Sequence, residues 1–199
     1  MLALFHAPRS RSSRILWVLE ELGADYELKR VNIVRQDGSG GADPANPHPD
    51  KKVPTLKHDA HVITESMAIV LYLCDLYPDA EISRPIGNPE RGELLTWLFY
   101  YSGVIEPVVH FQFIGVDSDP RLQRTFRGRA EMDSRILGAL TKHPYLLGER
   151  FSAADIVLAS VGAFMRNTLP AGDLIDDYLV RCNSRPARLR ADAKDNGAI

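Results

Sequence analysis

The sequence predicts two parts of different class: a compact α+β unit over residues 1–78 and an all-helical region over residues 89–199. Three observations predict this. Within the first part, short apolar runs alternate with helical periodicity in the order β-α-β-loop-β-β-α. The next stretch, Tyr77-Pro78 through Asn88-Pro89, is rich in proline and reads as a linker over residues 79–88. Beyond it every apolar pattern has the period of a helix.

Leu2 to His6 is an apolar run stopped by Ala7-Pro8, as a buried first strand would be. After a polar loop, Ile15, Leu16, Leu19 and Leu22 mark one face of a helix that begins near Ser12 and ends at Gly23. Tyr26 to Val34 alternates as a half-buried strand. Residues 36–49, with Pro44, Pro47, Pro49 and a Gly/Ser cluster, read as an irregular loop. Residues 54–58 and 61–64 read as a hairpin, and Met67 to Leu76 as a helix burying Ile69, Val70 and Leu73. In the second part, Leu94, Leu95, Leu98, Tyr101 and Ile105 predict a long helix interrupted or kinked at Pro107. A second is expected across 122–140, with Phe126, Met132, Ile136 and Leu137 on its apolar side. Phe151-Ser152-Ala153-Ala154-Asp155 carries the pattern of a capping box and hydrophobic staple. Two short helices, 174–182 and 186–193, and a charged mobile tail complete the expectation.

Composition bounds the function. A formal net charge of −2 gives no global attraction to nucleic acid or an anionic membrane. No apolar run approaches the ~20 residues needed to span a bilayer. The N-terminal run is too short for a signal sequence. Cys74 and Cys182 are far apart and fall in apolar helical patterns, as buried thiols in a reducing cytoplasm would. The six histidines are scattered, with no pair at ligand spacing on a helix, so no metal site is expected.

The segment from Lys51 to Leu73 organises the reading. A proline opening a strand cannot donate to the ladder, so Pro54 belongs at a strand end or edge. If its peptide bond is cis, the Val53 amide and carbonyl face outward for another chain to pair with. Eleven residues on, Glu65 and Ser66 stand where a strand gives way to a helix, and free amides with the helix dipole make a carboxylate seat there.

Taken together, Ser10-Arg11-Ser12-Ser13-Arg14, Val53-Pro54-Thr55-Leu56, Glu65-Ser66-Met67-Ala68-Ile69 with Tyr72-Leu73, and Phe151 to Asp155 cover nearly the whole chain in order. In this the sequence resembles the cytosolic glutathione transferases. The resemblance implies a thioredoxin-like N-terminal domain with a mixed four-stranded sheet and an all-α C-terminal bundle. It implies glutathione as cosubstrate, a small hydrophobic electrophile as substrate, and a homodimer. The loop resembles the serine-type classes (theta, delta and zeta), in which a serine four residues before a helical arginine faces the glutathione sulfur. Ser10 and Arg14 fit, with Ser12 and Ser13 as alternates. Residues 7–14 contain no cysteine, so reduction of disulfides through a protein thiol is not expected.

The resemblance assigns further roles. Val53 beside Pro54 pairs with the cysteinyl backbone, Glu65 accepts from the γ-glutamyl ammonium and Ser66 binds its carboxylate. Lys51 or Lys52 meets the glycyl carboxylate, although related classes carry a histidine at the first of these. Tyr101 and Phe111 are candidates for the electrophile pocket. Lowering a thiol pKa by ~2 units takes ~2.7 kcal/mol. A serine hydrogen bond to the anion at ~1.5–3 kcal/mol and a helix dipole at ~0.3–1 kcal/mol together suffice. Two other functions stay open. A zeta-like cis-enone isomerase would carry a cysteine that this loop lacks, and a non-catalytic binding protein would have no need of the tripeptide seat.

Overall fold

A computed structural model describes residues 1–197 of the chain. It divides into two units: residues 1–80 joined by the chain from Arg185 onward, and residues 81–184.

The first unit is a four-stranded mixed sheet flanked by helices. Strands β1 (Leu2–His6), β2 (Tyr26–Arg30), β3 (Thr55–His58) and β4 (His61–Ile63) lie in the order β2-β1-β3-β4. β1 runs parallel to β2 and antiparallel to β3, which forms the expected hairpin with β4. The parallel β1–β2 pair needs a crossover, which α1 (Ser12–Leu22) supplies. All five β1 residues are buried, as an apolar run at the sheet centre requires. Leu4, Ile15, Leu16, Leu19, Leu56, Ile69, Val70 and Leu73 are fully enclosed, each stabilising the fold by ~1.5–3 kcal/mol. The last three lie on α2 (Ser66–Leu76). β2 is shorter than the expected 26–34. Its ladder stops because the Asn32 amide binds the Asp43 carboxylate and the Ile33 amide binds the Asn32 side chain. These local bonds replace strand pairing. Val34 makes only an isolated bridge to Gly40.

The second unit is helical, as expected: α3 (Arg91–Tyr100), α4 (Glu106–Phe113), α5 (Pro120–Phe126), α6 (Arg129–Leu140), α7 (Ala153–Met165) and α8 (Asp173–Asn183). The expected kink at Pro107 takes the form of a π-helical turn over Tyr101–Ile105. Pro107 has no N–H for the Gly103 carbonyl, and its ring would clash there in a regular helix, so the preceding turn widens. The helix expected over 122–140 is two helices. Arg127 takes φ 66°, ψ 171°, which no helix contains, and the Gly128 amide donates to Glu131 to cap α6. At the start of α7 the buried Asp155 carboxylate accepts from the Ser152 amide and hydroxyl, the Leu146 amide and the Tyr178 hydroxyl. Burial nonetheless pushes the Asp155 pKa up.

The last helix, α9 (Pro186–Asp195), differs most from expectation. The expected helical domain ran to residue 199, with a mobile tail from about residue 194, but α9 belongs to the first unit and packs on α1. Glu20 on α1 is buried and the Glu21 side chain is largely covered, and both need cations: Arg190 and Lys194 pair with Glu20, and Arg185 pairs with Glu21. The Arg188 guanidinium lies 4.9 Å over the Trp17 ring. Asp195 and Lys194, placed in the tail by the sequence, are held in this packing; residues 198–199 lie outside the described residues.

Candidate functional site

The three serines of the first loop have different surroundings. Ser12 is fully buried: its Oγ lies 2.8 Å from His6 Nδ1, 3.2 Å from the Ala7 amide and 2.7 Å from Ser10 Oγ. Ser13, also buried, donates to Asp195 at 2.7 Å. Ser10 is half-buried; its hydroxyl lies 2.7 Å from both the Ala7 carbonyl and Ser12 Oγ, and it accepts from the Ser12 amide at 3.2 Å. These bonds hold Ser10 where α1 begins, at the positive end of its dipole. Arg14 is buried.

The Val53–Pro54 peptide bond is cis, and Val53 makes no backbone hydrogen bond among the described residues. Its side chain packs against Ala3, Phe5 and Val31. Sequence reasoning missed what fixes this edge. Asn46, fully buried, donates to the Lys52 carbonyl and accepts from the Thr55 hydroxyl, which also donates to Lys52. The only sequence signal was an asparagine among loop prolines. Lys51 has a left-handed backbone, φ 54°, and gives its ammonium to the Asn46 carbonyl at 2.8 Å, whereas Lys52 is exposed.

Glu65 precedes α2 with φ 67°, ψ 120°, a region that disfavours any residue with a Cβ. Ser66 is the first helical residue, so the amides of residues 66–68 have no intrahelical partner. Neither the Glu65 nor the Ser66 side chain has a partner among the described residues, and Glu65 is exposed. Free amides, a helix dipole and an unpaired carboxylate side by side form a receptor for a group carrying both charges, such as an α-amino acid.

In the second unit Tyr101 is buried within the π turn, and Phe111 is half-buried with its ring edge-on to Phe126. A cleft of about 540 Å³ in the same unit is lined by Trp97, Arg135, Lys142, His143 and Leu147 and contains neither residue. Among the described residues no His, Cys, Asp or Glu cluster could hold a metal, and no helix is long and apolar enough to cross a membrane.

The mixed sheet with its cis-proline edge and the following helical unit define a thioredoxin-like fold joined to a helical domain. Family models for the glutathione S-transferase N-terminal domain and C-terminal domain match residues 1–75 and 119–183, together more than half of the chain. The chain belongs to the cytosolic glutathione transferase superfamily. It is 29% identical over 163 residues to glutathione S-transferase GstA of Escherichia coli O157:H7, covering 79% of each chain. A glutathione transferase structure from Methylococcus capsulatus shares 29% identity at a TM-score of 0.77, with all of both chains covered. A theta class enzyme from Xanthomonas axonopodis with glutathione bound shares 28% identity at a TM-score of 0.70, with 96% of each chain covered.

Proposed function

We propose that this member of the superfamily transfers glutathione to a small hydrophobic electrophile, with Ser10 donating its hydroxyl hydrogen bond to the glutathione sulfur anion. The observation that carries the choice of serine is burial. Ser12 and Ser13 are enclosed and engaged by His6 and Asp195, whereas Ser10 is half-exposed. The tripeptide would lie along the unpaired Val53 backbone, with its γ-glutamyl ammonium on Glu65 and that residue's carboxylate on Ser66 and the free amides. Lys52, exposed, suits the glycyl carboxylate better than Lys51, whose ammonium is engaged by Asn46. Tyr101 and Phe111 remain proposals for the electrophile side. We place the protein in the cytoplasm as a two-fold dimer; sedimentation at the mass of one chain would overturn the dimer.

The test is glutathione conjugation of a chlorinated nitroaromatic by Ser10→Ala beside wild type. Loss of a hydrogen bond to a charged group, worth ~1.5–3 kcal/mol, predicts a fall in turnover of about 10- to 150-fold. The KM for glutathione should change little, because the Val53, Glu65 and Ser66 contacts remain. Undiminished turnover would remove Ser10 from the role.

A further inference from the structure

The loop that carries Ser10 is tied to the far end of the chain by a carboxylate that the proposed function leaves unused. Asp195, at the end of α9, is buried. Its Oδ1 accepts from the Ser13 hydroxyl at 2.7 Å, and its Oδ2 accepts from the Arg9 amide at 3.2 Å. These two donors stand on either side of Ser10 in the sequence. Ser13 in turn holds Ser10 by both ends of its backbone. The Ser13 Oγ accepts from the Ser10 amide at 3.3 Å, and the Ser13 amide donates to the Ser10 carbonyl at 3.0 Å. Arg9 is left-handed at φ 52°, a conformation that disfavours a residue with a Cβ, and the bond from its amide to Asp195 offsets that cost. His6 Nε2 lies 3.0 Å from the same Oδ1 without a hydrogen bond, and Asp192 on α9 is paired with Arg188.

We infer that Asp195 is a positioning residue for Ser10, acting through the Ser13 hydroxyl and the Arg9 amide. The inference rests on the reading that Ser10 faces the glutathione sulfur. A hydroxyl has one proton, and that of Ser13 goes to Asp195. Its lone pairs are then what is left for the Ser10 amide, so the carboxylate fixes the rotor that holds Ser10. Asp195 does this as an acceptor on both oxygens, which requires its ionised form. Burial pushes its pKa up, but the Ser13 hydroxyl and the Arg9 amide help to hold it below the ordinary carboxylate range. The ionised form is therefore the one present near neutral pH.

Charge alone argues against a carboxylate in this place. Asp195 is bonded to Ser13 in the first turn of α1, where its negative charge offsets the positive potential that the helix start offers an anion. A like charge nearby raises the pKa of a thiol. Asp195 thus serves the thiolate by geometry and opposes it by charge, and removing the charge alone separates the two by sign. In Asp195→Asn one of the two oxygens becomes an amide group. Turned toward Arg9, that group sets two donors face to face; turned toward Ser13, it leaves the hydroxyl proton without its acceptor. Either way the hold on the Ser10 backbone loosens, although the side chain keeps its shape.

The test is a pH titration of the thiol of bound glutathione in the intact protein, followed by thiolate absorbance in the far ultraviolet. Conjugation of a chlorinated nitroaromatic is measured beside it. Asp195→Asn is expected to raise the thiol pKa by about one unit, which is about tenfold less thiolate at a fixed pH below it. Its kcat should fall in step, with little change in the KM for glutathione, because the Val53, Glu65 and Ser66 contacts lie elsewhere. Ser13→Ala removes the same hold from the other side and should move the thiol pKa in the same direction, which keeps the test open should Asp195→Asn not fold. Arg190→Ala weakens the docking of α9 on Glu20 without touching residues 9–13, so it should lower the melting point and leave the thiol pKa at the wild-type value. A thiol pKa that stays or falls in Asp195→Asn or in Ser13→Ala would overturn the positioning role. So would an equal rise in Arg190→Ala, or a rise in KM with kcat unchanged in Asp195→Asn. Ser10→Ala separates the two readings: a wild-type thiol pKa there defeats the role of Ser10 itself. A raised pKa in Ser10→Ala beside an unchanged one in Asp195→Asn defeats the positioning role alone.

Discussion

Glu65 holds a backbone conformation that costs an ordinary residue about 1–3 kcal/mol, and its side chain is exposed with no partner among the described residues. A strained residue whose side chain does nothing for the fold supports the proposal that Glu65 serves a ligand. Glu65→Gly is accordingly expected to raise stability by about 1 kcal/mol, because glycine accepts φ 67° without its Cβ clash. On the proposed function, the same change should weaken glutathione binding at least tenfold, because Glu65 is the acceptor proposed for the ammonium. Thermal melting and calorimetric titration of one variant check both signs, and a melting point that falls would deny the strain. The Glu65-Ser66 pair was legible in the sequence because a strand-to-helix junction has a local signature. The torsion was not, since no residue type announces a left-handed glutamate. Asp195 was illegible for another reason: it meets His6 across nearly the whole length of the chain, and nothing local marks it.

At the scale of elements, helical rhythm identified α1 and α2 well because each buries one continuous apolar stripe. The same rule joined α5 to α6, since Leu122, Phe126, Met132, Ile136 and Leu137 keep an approximate helical rhythm straight through the break. A single glycine, Gly128, is weak punctuation beside five apolar residues. The break falls on Arg127, at φ 66° and ψ 171°, a region occupied almost only by glycine. Arg127→Gly should therefore stabilise the second unit by about 1 kcal/mol, less a small loss from the Arg127 contact 5.9 Å over the Tyr100 ring. A denaturant midpoint that moves down would show that the arginine contact outweighs the backbone.

On the scale of the whole molecule, the chain leaves its first unit at residue 80 and returns to it at Arg185. Two carboxylates clamp the returning helix. Burial opposes ionisation of Glu20, but hydrogen bonds from Lys194, Tyr26 and Arg190 hold its pKa below the ordinary value, as His6 and Ser13 do for Asp195. Groups with lowered folded-state pKa values stabilise fully above their unfolded values near ~4. That stabilisation disappears as pH falls through the still lower folded values. Hydrogen exchange at the α9 amides should thus accelerate, relative to its intrinsic pH dependence, below about pH 4 and before β1 and α1 lose protection. Simultaneous loss everywhere would mean that the clamp has no separate titration.

The return of α9 also has a consequence in time. A ribosome makes β1, α1 and the Val53–Pro54 edge early, yet Asp195 is made only after all of residues 81–184. At about 5–20 residues per second this is a delay of roughly 5–20 s. During that interval the nascent first unit carries Glu20, Glu21 and His6 without their final partners. The unit that begins first is in this sense completed only once α9 has been made.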